Sequence, residues 1–241
     1  KSGVVTSVEA LVRWIHPEHG MVPPDKFISL AEQTGYIHPL TNWVIDTALR
    51  QHKQWCSNNI YLPIAVNVSA ENLKFPDFYE QVILALERYE LTPDAIWLEI
   101  TESVVVEDPQ ATIELLTRFR NRGFRLSIDD YGTGYSSLAQ LTQLPVCEMK
   151  IDKAFITDLI ENEQNRVIVN STIKLAHALS LTVVAEGIED AETLQWLKEH
   201  QCEKAQGYFI SKPKPAAEFE EWLLNSDYFQ PRISLVKKQN E

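Results

Sequence analysis

Seven short runs with strand character alternate along this chain with amphipathic helical stretches, and such an alternation leaves few folds open. The runs are Val4 to Leu11, Leu62 to Val68, Ile96 to Ile100, Arg125 to Ile128, Val146 to Ile151, Thr182 to Ala185 and Ala205 to Ile210. Helical periodicity is clearest over Pro39 to Trp55, Phe78 to Tyr89, Ala111 to Arg122 (closed by Gly123), Gln164 to Leu179, Ala191 to His200 and Ala216 to Leu224. Strands joined by helices of this size pair in parallel through right-handed crossovers. "IAVNVS", "LSIDD" and "TVVAE" read as apolar runs, the pattern of strands covered on both faces. The fold class is therefore α/β. A modified TIM (β/α)8 barrel is expected, with its first strand missing from this chain: seven runs are one short of eight, and the chain begins almost in the first of them. A doubly wound open sheet is the rival, but neither GxGxxG nor the P-loop pattern follows any early strand.

The length divides into a barrel domain at 1–224 and a C-terminal extension at 225–241. With 22 basic and 34 acidic residues the net charge is -12, which excludes polymeric nucleic acid or acidic lipid as partners held by a broad basic surface. Cys56, Cys147 and Cys202 are odd in number and show no CxxC spacing, which argues against a disulfide framework or thiolate zinc site and for a reducing, cytoplasmic compartment. No apolar run reaches membrane-spanning length and no signal-peptide pattern opens the chain, so this piece is expected to make no direct membrane contact. A membrane anchor elsewhere in a longer protein is compatible with that.

In a parallel barrel the C-terminal strand ends meet at one mouth, where ligands bind. Those ends carry, in order, Glu9, Asn67, Glu99, Asp129 with Asp130, Lys150, Glu186 and Gln206. Carboxylates and a carboxamide without histidine or thiolate form a hard-oxygen set suited to Mg2+ or Mn2+. So many acids imply two ions, and a shared aspartate can bridge cations roughly 3.5–4 Å apart, the arrangement used for in-line attack on a phosphodiester. Neighbouring Asp129 and Asp130 need such compensation, because paired carboxylates at a half-buried strand end repel each other and lose hydration. Lys150 would stabilise charge developing at phosphorus or orient the water.

Each residue also has a plain structural reading. Asp129 and Asp130 can open an Asx turn, Glu186 can be an acid at a helix N-terminus, Lys150 a surface charge and Asn67 a turn former. Glu102 can cap the helix that follows "EITES", or support the "DDYGTGYSS" loop through the backbone N–H groups of Gly132 to Gly134. Joint placement at consecutive strand ends favours a site. The histidines His16, His19, His38, His52, His177 and His200 lack ligand spacing and read as structural or solvated, and the aromatics of "FISLAEQTGY" read as core.

The segments "EALVRW", "NVS", "EITES", "DDYGTGYSSL", "KID", "AEGIE" and "QGYFISKP", in that order from Val8 to about Leu223, resemble the EAL-domain cyclic-di-GMP phosphodiesterases of bacteria. The resemblance implies a modified TIM barrel in which Glu9, Asn67, Glu99 and Asp129 ligate one divalent ion, Asp129 bridges, and Asp130 and Glu186 serve a second. It implies a catalytic group in which Lys150 and Gln206 position the water, Glu186 contributes beside its metal role, and Glu102 holds the loop that starts at Asp129. Leu11 and Arg13 of "EALVR" would contact the dinucleotide, Arg13 at a phosphate; an ordinary salt bridge is the other reading of Arg13. The implied reaction is two-metal hydrolysis of cyclic-di-GMP to linear pGpG, with Mg2+ or Mn2+ as cofactor. A homodimer, fused to an upstream sensory or regulatory region, is the expected assembly. The chain departs from the family pattern in having Tyr131 for phenylalanine and "QGYFIS" for "QGYYFS", and in lacking the first strand with its "YQP"-like segment. The alternative is a catalytically silent receptor or protein-interaction module of the same fold; such members usually lack a ligand, and none of those named is missing here.

Overall fold

The structure, a computed structural model of the 241-residue chain, describes residues 3–102, 109–132 and 138–229. Gly134 and most of the expected C-terminal extension therefore lie outside the described residues. Strand β1 (Val8–Glu9) leads into an antiparallel ribbon, β2 (Trp14–His16) with β3 (Gly20–Val22), and then into helices α1 (Pro24–Thr34) and α2 (Ile37–Ser57). Strand–helix units follow: β4 (Ile64–Val68), α3 (Ala70–Lys74) and α4 (Phe78–Tyr89); β5 (Ile96–Thr101) and α5 (Pro109–Arg122); β6 (Arg125–Tyr131) and α6 (Leu138–Leu141). The chain continues through β7 (Glu148–Ile151), α7 (Lys153–Ile156), α8 (Glu163–Ala178), β8 (Thr182–Ala185), α9 (Ala191–Glu199), β9 (Lys204–Ala205) and α10 (Ala216–Leu224).

Seven strands form one parallel sheet in the order β1-β4-β5-β6-β7-β8-β9. β1 and β9 are its edges, yet Gln206, just past β9, donates a hydrogen bond to Glu9 of β1 at 2.7 Å. The sheet thus curls until its edges meet at the mouth, giving an incomplete barrel rather than an open doubly wound sheet. At the base, Val5 N–H donates to the Tyr228 carbonyl at 2.9 Å, which holds 225–229 against the barrel.

The strands differ from the apolar runs read in the sequence. Ile64, Val66 and Val68, Ile96, Leu98 and Ile100, Leu126 and Ile128, Met149 and Ile151 all join one apolar cluster with helix residues such as Leu49, Leu116, Phe119 and Ile173. The alternate positions, Trp97, Glu99, Ser127, Asp129, Glu148 and Lys150, are buried too, but on the inner face of the curl. Both faces are covered as expected; only the outer one is apolar. Burying each large aliphatic side chain contributes about 1.5–3 kcal/mol, so the outer layer supplies the stability that the polar interior draws down.

Two other differences concern the edges and the N-terminal lobe. The last strand, expected to reach Ile210, stops at Ala205, because the chain then turns: Ile188 N–H donates to the Gln206 carbonyl at 3.1 Å and Phe209 N–H to the Ile188 carbonyl at 3.0 Å. The "FISLAEQTGY" stretch is not merely core. Most of it forms α1, which buries Phe27 and Ala31 four residues apart and ends at Gly35 in the left-handed conformation, φ 76°.

Candidate active site

Adjacent strand residues normally point to opposite faces, so Asp129 and Asp130 could not both serve one mouth on a regular strand. A β-bulge resolves this. Ile128 pairs with Met149 and Tyr131 with Ile151, which leaves two residues of β6 opposite Lys150 alone. Asp130 takes the extra place with φ 53°, a left-handed conformation that aspartate tolerates better than most residues. Asp129 Oδ1 accepts the Asp130 N–H at 3.0 Å, and Asp130 itself shares a side-chain hydrogen bond with Asp152.

Lys150 is the centre of the mouth. Its side chain is only 2% exposed, and Nζ lies 2.7 Å from Glu186 Oε1, 3.0 Å from Glu99 Oε2, 3.1 Å from Asp129 Oδ1 and 3.5 Å from Glu9 Oε2. The surface-charge reading of this lysine is thereby excluded. Glu9 accepts from Asn67 Nδ2 and from Gln206 Nε2, each at 2.7 Å, so the first strand's carboxylate is held from both sides. Glu186 Oε1, although nearest the ammonium, lacks hydrogen-bond geometry to any donor among the described residues.

The electrostatics follow from burial among like charges. Loss of hydration, followed by repulsion from neighbouring acids, pushes Glu186 up to about 7 against the pull of Lys150, and it holds Glu99 well above the usual carboxylate range. Burial, then Asp129 and the Asp152 hydrogen bond, pushes Asp130 up to about 6. Burial works against the Lys150 ammonium, but Glu99, Glu9, Glu186 and Asp129 outweigh it and hold the lysine protonated.

Two groups of carboxylates have ligand oxygens within 4.8 Å of one another, Glu9 with Glu99 and Asp129, and Asp129 with Asp130 and Glu186. They share Asp129. Hard oxygens at that spacing, on acids crowded together in a buried mouth, fit divalent cations.

The other sequence candidates fall at varying distances from this centre. Glu102 directly follows β5, is buried, and accepts the Gly132 N–H through Oε2 at 3.0 Å, next to the bulge. Leu11 and Arg13 lie on the exposed stretch after β1, where Arg13 Nη1 donates to the Val12 carbonyl at 2.8 Å. The structure does not bring either to the acids. Two features escaped the sequence reading. Asp152, of the "KID" segment, meets Asp130 and caps α7 by accepting the Ala154 N–H at 2.9 Å. Beneath the mouth, Glu148 Oε2 pairs with Lys204 Nζ at 2.6 Å, and that ammonium sits 4.1 Å over the Trp97 ring.

The chain belongs to the EAL domain family, whose model matches residues 1–213. It is 43% identical over 92% of its length to the cyclic di-GMP phosphodiesterase NbdA of Pseudomonas aeruginosa, covering 28% of that protein. It is 38% identical over 91% of its length to the cyclic di-GMP phosphodiesterase PdeR of Escherichia coli, covering 33% of it. The chain thus spans a third or less of these relatives' length. Among solved structures it resembles the PaMucR phosphodiesterase in its c-di-GMP complex, with TM-score 0.85, 38% identity and 90% of each chain covered. EAL structures of this kind are modified TIM barrels, in keeping with the curled parallel sheet. Among the described residues no helix is long and apolar enough to cross a membrane.

Proposed function

We propose that this chain hydrolyses cyclic-di-GMP to linear pGpG. The observation that carries the reading is the pair of carboxylate groups sharing Asp129 around Lys150, in a chain whose relatives are named cyclic di-GMP phosphodiesterases. Glu9, Asn67, Glu99 and Asp129 would hold one Mg2+ or Mn2+ ion, and Asp129, Asp130 and Glu186 a second. Such ions would supply a water of lowered pKa and screen the phosphate's charge. Asn67 and Gln206 fix the Glu9 carboxylate between them and keep it aimed into the mouth. Lys150, held protonated by its acids, places a positive charge where negative charge builds as water adds to phosphorus. Glu102 steadies the backbone after the bulge. Arg13 is exposed and, among the described residues, donates to the neighbouring Val12 carbonyl, so it could turn toward a phosphate, beside Leu11. The complete acid set favours hydrolysis over a silent receptor. A homodimer within a longer, cytoplasmic protein carrying a regulatory region is the assembly proposed. Chromatography of cyclic-di-GMP incubated with the chain and Mn2+ tests the activity: conversion that disappears in EDTA and in Asp129→Ala is expected. Intact dinucleotide, bound but uncleaved, would instead establish the receptor.

A further inference from the structure

The second carboxylate group is assembled from the bulged end of β6 and the residue just after β8, and the short helix α7 presses on the chain beside both. A Cβ built on Gly132 would lie 2.9 Å from Cε2 of Phe155, so the ring rests directly on that glycine. A Cβ built on Gly187 would lie 2.5 Å from Cβ of Lys153, the first residue of α7, so the chain next to Glu186 is seated against the helix start. Asp152, which caps the helix, hydrogen-bonds Asp130. Gly132 is thus gripped from two sides, its N–H by Glu102 and its Cα by Phe155. These contacts bear on Asp130 and Glu186, whereas Glu9, Asn67 and Glu99 come from β1, β4 and β5 on the far side of Lys150.

We propose that Phe155 is a positioning residue for the second divalent ion, acting through Gly132 to keep the bulge that holds Asp130 toward Glu186. The inference rests on the two-ion reading above. Asp130 stands at φ 53°, where even aspartate carries some backbone strain, so removing the ring that packs on Gly132 lets the bulge relax and Asp130 swing away. The first group is expected to keep its geometry, because Glu9 and Glu99 stand on β1 and β5 and Asp129 is tied to Lys150 Nζ at 3.1 Å.

The test counts Mn2+ ions bound to the chain by titration, with electron paramagnetic resonance distinguishing an exchange-coupled pair from a single ion. The wild-type chain is expected to bind two coupled ions. Phe155→Ala is expected to keep the first at unchanged affinity and to weaken the second roughly 10–100-fold, the usual cost of losing a group that supports a ligand. Phe155→Leu, which retains most of the packing and guards against simple unfolding, should fall between the two. Leu116→Ala, a fully buried change on α5, should destabilise the fold while leaving the coupled pair intact. Two coupled ions of wild-type affinity in Phe155→Ala, or equal loss of the second ion in Leu116→Ala, would overturn the proposal. Failure of the wild-type chain to bind two ions would instead remove the reading on which it rests.

Discussion

Replacing Lys150 by methionine removes an ammonium and keeps most of the side chain's volume, which isolates the charge. That ammonium lies 2.7–3.5 Å from four carboxylates. Removing one partner of a buried ion pair costs about 3–5 kcal/mol, since the other is left uncompensated. Here the orphaned acids have a partial escape, because Glu99 and Glu186 already hold their protons unusually tightly and would take them up more readily still. A carboxyl group whose folded pKa lies above its unfolded one favours folding below the unfolded pKa and loses that contribution as pH rises through the folded value. The deficit of Lys150→Met should therefore be largest at pH above about 7 and shrink toward about pH 5. Unfolding in EDTA by denaturant and by heat, followed by circular dichroism, is the assay; the first reads the free-energy loss, and in the second the melting point should drop by roughly 6–20 °C at the higher pH. A loss below about 1 kcal/mol, the size of an exposed ion pair, or a deficit that grows on acidification would refute the reasoning.

The same sign applies to the unaltered, metal-free chain. Glu186, displaced from 4.5 to about 7, opposes folding by about 3 kcal/mol once fully ionised, so stability in EDTA should rise as pH falls from about 7.5 to 5.5; a steady fall over that window would sink this prediction. Saturating Mg2+ should raise the melting temperature near neutral pH by mass action, and coincident scans in Mg2+ and EDTA would count against the metal site. Gly207→Ala would drive a Cβ to 2.2 Å from the Ile188 backbone, breaking the turn that sets Gln206; a loss of about 1–3 kcal/mol or more is expected, and a near-neutral effect would contradict it. Lys204→Met should cost about 3–5 kcal/mol by stranding Glu148, with much of it regained in Lys204→Met/Glu148→Gln; no recovery in the double variant would show that Lys204 acts by packing on Trp97.

Much of the mouth was legible in the sequence because a parallel sheet converts order along the chain into neighbourhood in space. Glu9, Asn67, Glu99, Asp129, Lys150, Glu186 and Gln206 each lie at or within two residues of the C-terminal end of a strand, and parallel register gathers those ends without further information. The bulge was not legible, since "SIDDY" is compatible with a regular strand and the two-against-one pairing depends on where β7 sits. Nor was the burial of Lys150, which comes from four acids on four other strands or their ends. The Glu148–Lys204 layer left a trace that reading the strands as apolar runs passed over: "IWLEIT" and "EMKI" alternate, with Leu98, Ile100 and Met149 outward and Glu99, Glu148 and Lys150 inward. Helix α1 could have been found from the four-residue spacing of Phe27 and Ala31 and the stop at Gly35.

The most direct measurement is hydrolysis of cyclic-di-GMP in heavy-oxygen water, with the product analysed by mass spectrometry. One labelled oxygen in the terminal phosphate of linear pGpG, formed by the Mn2+-loaded chain and absent with Asp129→Ala, is the expected result. Intact dinucleotide recovered from a chain shown to hold its ions, or a linear product without label, would contradict water attack at this site.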